Sequence, residues 1–288
     1  MQTNTVNFKS SSIFYKVIGE GPVVVLVHGF GETGNVWQGQ VNVLKSRFRL
    51  IIPDLPGSGL SQFVDGAGID DYAAAIKLIV DTELAPETKA SSSYQTKNIS
   101  SNNNNNNNAK VAIIGHSMGG YITLAFAEKY PDLLNSFGLF HSTAMADNEE
   151  KIVAREKGIE FIKNNGPYAF IKKSTPNLFT KKFAISHPEK ITALIEEAKH
   201  FTEAALVQYY ECMISRPDRI HVLESCQQPV LIIAGEQDTN IPLQSLLQQS
   251  HLPLQSYFAI LQQSAHMGMW EEKEKVEGIL LDFLVNSF

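Results

Sequence analysis

The sequence predicts an α/β fold: a mostly parallel central sheet with helices on both faces and a helical cap inserted over one edge. Three observations predict it. Apolar runs such as Val23 to Val27, Val111 to Ile114 and Pro229 to Ala234 have the unbroken hydrophobicity of strands covered on both sides, and segments of helical period alternate with them. The stretch Val111 to Gly120 reads as strand, tight turn and helix, with Gly115-His116-Ser117-Met118-Gly119 at the turn. Between Asp147 and Arg219 the pattern is helical throughout, with no buried-strand run.

Taken in order, Val6 to Ile18 predicts an edge hairpin, its turn at Ser10-Ser11-Ser12 and its second strand marked by alternation in Ile13 to Val17. Pro22 to Val27 is a buried strand ending in His28-Gly29-Phe30-Gly31, followed by a helix from about Val36 to Ser46. The strand Arg49 to Ile52 ends in Pro53-Asp54-Leu55-Pro56-Gly57-Ser58-Gly59. Asp71 to Leu84 is helical, since Tyr72, Ala75, Ile76, Ile79 and Val80 share a face. Residues 91–108 then turn Ser/Asn-rich and close with seven consecutive asparagines, a composition that cannot offset its ordering entropy. They are expected to form a flexible insertion, a passive loop rather than a prion-like interaction segment. After the helix that ends before Pro131 come a strand at Ser136 to Phe140 and cap helices, of which Glu149 to Lys163 and Pro188 to His200 are the clearest. Strands at Pro229 to Ala234 and Ser256 to Leu261 and a helix from about Glu272 to Val285 follow. The expected division is a core of residues 1–144 and 227–288 around a cap of residues 145–226.

Composition narrows the function. A net charge of −6 and the absence of a Lys/Arg cluster interleaved with aromatics speak against nucleic acid and anionic membranes as partners. No run is long enough to span a bilayer, and Met1 to Thr5 carries no basic segment or apolar signal core, so the expected location is cytoplasmic. The two cysteines, Cys212 and Cys226, are expected as reduced thiols. No H-E-x-x-H, C-x-x-C or phosphate-loop ending occurs, so neither a metal nor a cofactor is implied.

The chemistry lies where strands end. A strand that reverses into a helix brings two backbones together, so Gly115 and Gly119 fit where side chains would collide, and Ser117 takes the strained apex with its hydroxyl projecting. A serine hydroxyl needs a base, and the base needs a carboxylate to hold its tautomer. In an elbow of this kind the chain order is Ser, acid, His. Asp238, in Gly235-Glu236-Gln237-Asp238 beyond one strand, is the acid, with Glu236 as the competitor; His266, in Ser264-Ala265-His266 beyond the last strand, is the base. Of the remaining histidines, His187, His200 and His221 belong in or beside the cap, His251 to a connecting segment, and His141 follows a core strand within reach of the pocket. His116 is read as pointing away in a turn, with no role in proton transfer. An oxyanion needs two preorganised donors, for which the backbone N–H groups of Met118 and Phe30 are the candidates.

His28-Gly29-Phe30-Gly31, Asp54 to Ser61, the elbow, Gly235 to Asp238 and Ser264-Ala265-His266, in that order, resemble the α/β-hydrolase superfamily over nearly the whole chain outside the cap and the Asn run. The resemblance implies the α/β-hydrolase fold, a triad of Ser117, Asp238 and His266, and an oxyanion hole at Phe30 and Met118. It does not select a substrate: relatives of this size include carboxylesterases, esterases acting on acyl carriers, lactonases, carbon–carbon bond hydrolases and cofactor-free peroxidases, while Ser117 argues against the aspartate-nucleophile dehalogenases and epoxide hydrolases. The expectation is a serine hydrolase of a carboxylic ester whose acyl or aryl group is apolar, because Phe161, Tyr168, Phe170, Phe179, Phe183, Phe201, Tyr209, Tyr210 and Met213 crowd the cap. A lactone, thioester or carbon–carbon bond hydrolase, or a ligand-binding receptor on the same fold, are the alternatives, and the sequence leaves the oligomeric state open.

Overall fold

A computed structural model describes residues 1–85 and 110–288. The expected insertion at residues 91–108 therefore lies outside the described residues. Eight strands form one sheet in the order β1-β2-β4-β3-β5-β6-β7-β8. They are β1 (Gln2–Phe8), β2 (Ser11–Ile18), β3 (Val23–Val27), β4 (Arg49–Pro53), β5 (Val111–His116), β6 (Leu134–Phe140), β7 (Val230–Gly235) and β8 (Ser256–Leu261). β2 runs antiparallel to β1 and β4, and all pairs from β4 to β8 are parallel.

The pleat of the central strands sorts the core. Val25, Val27, Ile51 and Ile113 join the cluster that packs on α2 (Ile69–Leu84) and α3 (Met118–Lys129). Their neighbours Val24, Leu26, Leu50, Ile52 and Ile114 face the other way, onto α1 (Gln38–Leu44) and, at the end of the chain, α12 (Lys273–Ser287). Successive side chains on a strand point to opposite faces, so strands apolar at every position are those with helices on both sides.

Between β6 and β7 the chain leaves the sheet for α4 (Glu149–Asn165), α5 (Pro167–Ser174), α6 (Lys181–Ser186), α7 (Pro188–Glu197), α8 (Glu203–Ser215) and α9 (Ile220–Ser225). Short helices α10 (Leu243–Leu247) and α11 (Gly268–Glu271) complete the described residues. Several starts are set by caps the sequence displays: Asn148 accepts from the Lys151 N–H at 2.9 Å to begin α4, and Thr202 accepts from Ala205 at 3.1 Å to begin α8.

Most element ends fall within two residues of expectation, and the clearest departure is the first hairpin. β1 begins at Gln2 rather than Val6, and its turn to β2 is Lys9-Ser10, both at positive φ (46° and 66°). A two-residue hairpin with φ > 0 at both positions matches the twist of the strands, but it is usually advertised by Asn-Gly, and Lys-Ser gives no such signal. No helix among the described residues is long and apolar enough to cross a membrane. Cys212 and Cys226 are both unpaired thiols.

Candidate active site

Ser117 occupies the turn from β5 into α3 at φ 51° and ψ −116°. A positive φ on a non-glycine residue costs on the order of 1–3 kcal/mol and persists only where its surroundings impose it. Here they do. A Cβ on Gly119 would sit 2.5 Å from the Val27 carbonyl oxygen, and one on Gly115 would overlap the backbone of Gly119. Gly120, not singled out in the sequence, is equally constrained, because a Cβ there would overlap Ser142, whose hydroxyl donates to the Ser117 carbonyl at 2.7 Å.

The three residues picked from strand ends converge. The Ser117 hydroxyl lies 2.9 Å from Nε2 of His266, and Nδ1 of His266 lies 2.7 Å from Oδ2 of Asp238. A carboxylate only accepts, so Nδ1 carries the proton and Nε2 accepts from the serine. The other Asp238 oxygen accepts from the N–H groups of Asn240 (2.8 Å) and Ile241 (3.0 Å). Burial alone would raise the Asp238 carboxyl, but its interaction with the His266 ring, with His141 beside it, holds it well below the usual carboxylate range. Glu236 is exposed.

The loop after β3 passes directly over Ser117: a Cβ on Gly29 would lie 3.2 Å from the serine Cβ. The Phe30 and Met118 N–H groups make no hydrogen bond among the described residues. His28 ties this loop to the one after β4. Its Nδ1–H donates to the Gly29 carbonyl at 2.8 Å, and its Nε2 accepts from Leu55 N–H at 2.9 Å. Asp54 in turn accepts from Gly34 and Leu60 N–H groups at 2.9 and 3.0 Å. The His28 and Asp54 motifs thus shape backbone.

His116 lies in a strand and not in the turn the sequence suggested. The residue ends β5, is buried, and bridges two loops: Nδ1 lies 3.0 Å from Oε2 of Glu32, and Nε2 lies 2.9 Å from the carbonyl oxygen of His266. Glu32, also buried and not foreseen, accepts from Gly29 N–H at 2.7 Å. Both partners of His116 are acceptors, so both ring nitrogens must donate, which requires the imidazolium. Burial works against this charge, yet Glu32 outweighs it and raises the His116 pKa; burial likewise opposes the Glu32 charge, and His116 outweighs it and lowers that pKa.

His141 reaches the buried side of the acid rather than the open pocket. Its Nε2 accepts from Gly268 N–H at 3.2 Å, and its Nδ1 faces Oδ2 of Asp238 at 3.4 Å, an electrostatic contact rather than an aligned hydrogen bond. Burial pushes its pKa down to about 4, against the pull of Asp238, so the ring is neutral. Asp238, His141 and His266 bring potential metal ligands together, a closeness that these contacts already explain. The His266 loop is clamped from α11 and beyond: Glu271 accepts from Thr180 and Ala265 N–H groups (2.7 and 2.9 Å), and Glu272 from Gln263 N–H and the Ser264 hydroxyl (2.8 and 2.7 Å). Of the other histidines, His200, His221 and His251 are exposed and His187 is half-buried.

A cavity of about 600 Å³ opens onto Ser117 and His266. Its apolar wall includes Phe30, Ile171 and Leu194. Of the nine apolar residues read from the 145–226 segment, Phe170, Tyr210 and Met213 line it; Phe179 and Phe183 instead stack on each other with centroids 5.2 Å apart.

Comparison with known proteins agrees with this architecture. A thermophilic esterase from Thermogutta terrifontis superposes with a TM-score of 0.85 at 25% identity, covering 100% of this chain and 99% of that one. An enol-lactonase from Burkholderia xenovorans shares the fold with a TM-score of 0.82 at 19% identity, covering 98% and 100%. In sequence, a putative carbamate hydrolase of Pantoea ananatis is 26% identical over 242 residues, 80% of this chain and 78% of that protein. An uncharacterized protein of Mycobacterium bovis is 28% identical over 121 residues, and the match covers 42% of this chain and only 29% of that protein. A family model described as the alpha/beta hydrolase fold matches residues 22–273, and the chain belongs to that family.

Proposed function

We propose that this protein is a serine hydrolase that cleaves a carboxylic ester through an acyl-enzyme, with Ser117 as nucleophile, His266 as base and acid, and Asp238 as the carboxylate behind it. The observation that carries the reading is the unbroken line from the Ser117 hydroxyl through His266 to Asp238, at 2.9 and 2.7 Å. Ser117 Oγ attacks the ester carbonyl while Nε2 of His266 takes its proton. Asp238, held ionised, stabilises the imidazolium that forms. The carbonyl oxygen becomes an oxyanion between the N–H groups of Phe30 and Met118. His266 returns the proton to the departing alcohol. Water, deprotonated by the same nitrogen, then releases the acid and restores Ser117. In this reading residues 145–226 act as a cap whose helices supply one wall of the cavity. The likeness to the Thermogutta esterase supports the ester over other acyl bonds.

A fluorophosphonate probe and a short-chain p-nitrophenyl ester test the reading together. The protein takes up one probe and turns over the ester; Ser117→Ala abolishes labelling and lowers turnover by several orders of magnitude. Equal labelling of that variant would refute Ser117 as the nucleophile.

A further inference from the structure

The cavity has a second wall, made by the start of α4. Asn148, Lys151 and Arg155 all line it, and spacings of three and four residues put them on one face of the helix. This wall is charged. Arg155 and Arg216 share a single buried carboxylate: Asp147 accepts from Nε of Arg155 at 2.5 Å and from Nη2 of Arg216 at 2.9 Å. Lys151 brings a third cation within influence of these three groups, and burial, helped by both guanidiniums, lowers its pKa despite Asp147. Its ammonium makes no ion pair or hydrogen bond among the described residues, and neither does Nη1 of Arg155. Partly buried cations left unpaired are disfavoured unless something neutralises them.

The other acids lining the cavity, Glu32 and Glu150, and Asp238 behind it do not serve. Glu32 is committed to His116 and Gly29, and Asp238 to His266 and two backbone N–H groups. Glu150 is exposed, so water screens its charge. The same cavity is lined by the apolar Phe30, Ile171 and Leu194 and by Ser117 and His266. From this juxtaposition we infer that the substrate is an ester carrying a free carboxylate, separated from the ester bond by a short apolar segment, with Lys151 and the Arg155 edge as the carboxylate subsite. A lysine supplies the point charge and an arginine edge the directed N–H that a carboxylate accepts. The apolar wall takes the intervening segment. The inference rests on the hydrolase reading above, and its test separates the two.

Two measurements decide it. Monomethyl glutarate is titrated into the protein by calorimetry, with dimethyl glutarate as the uncharged control. The monoacid binds saturably and the diester more weakly; Lys151→Met abolishes the difference and Lys151→Arg keeps it. Lys151 is engaged in no ion pair among the described residues, so Lys151→Met does not depend on breaking one. In parallel, kcat/KM is compared for mono-p-nitrophenyl glutarate and its methyl ester, and for butyrate esters of a hydroxy acid and its methyl ester, so that a carboxylate on either side of the ester bond is covered. One anionic member is preferred, and the preference falls about 10- to 100-fold in Lys151→Met, the range of a charge-assisted hydrogen bond. No preferential binding of the monoacid, or equal preference in wild type and Lys151→Met, overturns the carboxylate subsite. Selective binding without turnover of any ester leaves the subsite standing and refutes the hydrolase reading instead.

Discussion

The buried pair of Glu32 and His116 offers a direct test of how the loops around Ser117 are held. The perturbation is Glu32→Gln, with Glu32→Ala beside it. Both wild-type side chains are almost fully buried, and His116 donates to acceptors on two different loops. Removing the carboxylate outright leaves an imidazolium buried without its counter-charge, for which the usual cost is about 3–5 kcal/mol. Glutamine is different. Oε2 of Glu32 takes both contacts, so a glutamine can set its amide nitrogen there and donate to Nδ1 of a neutral His116, whose proton then sits on Nε2 toward the His266 carbonyl, but it loses the bond from Gly29 N–H. The cost should then be about 1–3 kcal/mol, that of one buried group left without its partner. The two variants also differ from wild type in pH dependence. His116 is raised above its ordinary 6.5, so its stabilising contribution is complete below that value and is lost as pH rises through the folded pKa. Glu32 is lowered below its ordinary 4.5, so its contribution is complete above that value and is lost as pH falls through the folded pKa. Each unit of elevation at His116 is worth about 1.4 kcal/mol. Urea unfolding at about pH 6 and about pH 9 is the assay: wild type loses stability between them, and Glu32→Gln loses less. Identical losses would show that His116 is neutral, and the two-acceptor argument would fail.

Two further outcomes follow from the same geometry. Asp238→Asn keeps the fold but frees the His266 tautomer, so ester turnover falls by about 10⁴, whereas exposed Glu236→Gln stays near wild type; steady-state kinetics that reversed the order would remove Asp238 from its role. Replacing residues 91–108 with a short Gly/Ser linker leaves turnover and melting temperature nearly unchanged. Lys110 precedes β5, and Ser117 lies past that strand's other end, about 20 Å away at ~3.3 Å per residue; a large loss of activity with an unchanged melting temperature would tie the segment to the cavity.

How much of this was legible in the sequence depends on whether a residue's role is set locally. Ser117, Asp238 and His266 each sit just past a strand's carboxyl end, and strands are announced by their own apolar runs, so their convergence could be foreseen from order alone. The parallel sheet was legible for the same reason. β1 was partly missed because its exposed edge offers little apolar alternation before Val6. Glu32 gave no signal, and the contacts of His116 and His141 gave none either, because their partners are remote in sequence: His116 meets Glu32 across 84 residues and the His266 carbonyl across 150. The apolar residues of the 145–226 segment were visible as a set, but which of them face the cavity depends on helix packing. Lys151 and Arg155 carry no sequence signal for the same reason; only the third dimension brings them near Asp147 and Arg216.

Four buried histidines around one serine show why residue type alone does not assign a proton. His28 has an acceptor at Nδ1, the Gly29 carbonyl, and at Nε2 the Leu55 N–H donor with the Ser58 hydroxyl beside it, and is neutral, its pKa lowered chiefly by burial. His141 accepts from Gly268 on one nitrogen and is neutral with its other N–H toward Asp238. His116 has acceptors on both sides and is held charged by Glu32. His266 alone pairs a carboxylate on Nδ1 with a hydroxyl on Nε2, the arrangement in which a ring can take one more proton and find its counter-charge already in place. At rest, the Glu32–His116 pair is neutral as a unit, so Asp238 is the one carboxylate in this group without a cationic partner. In the proposed reaction that charge is met when the Ser117 proton reaches His266, and the oxyanion forms at the same moment. The protein need not create a field at that step, because Asp238 and the Phe30 and Met118 N–H groups are already oriented by bonds made elsewhere.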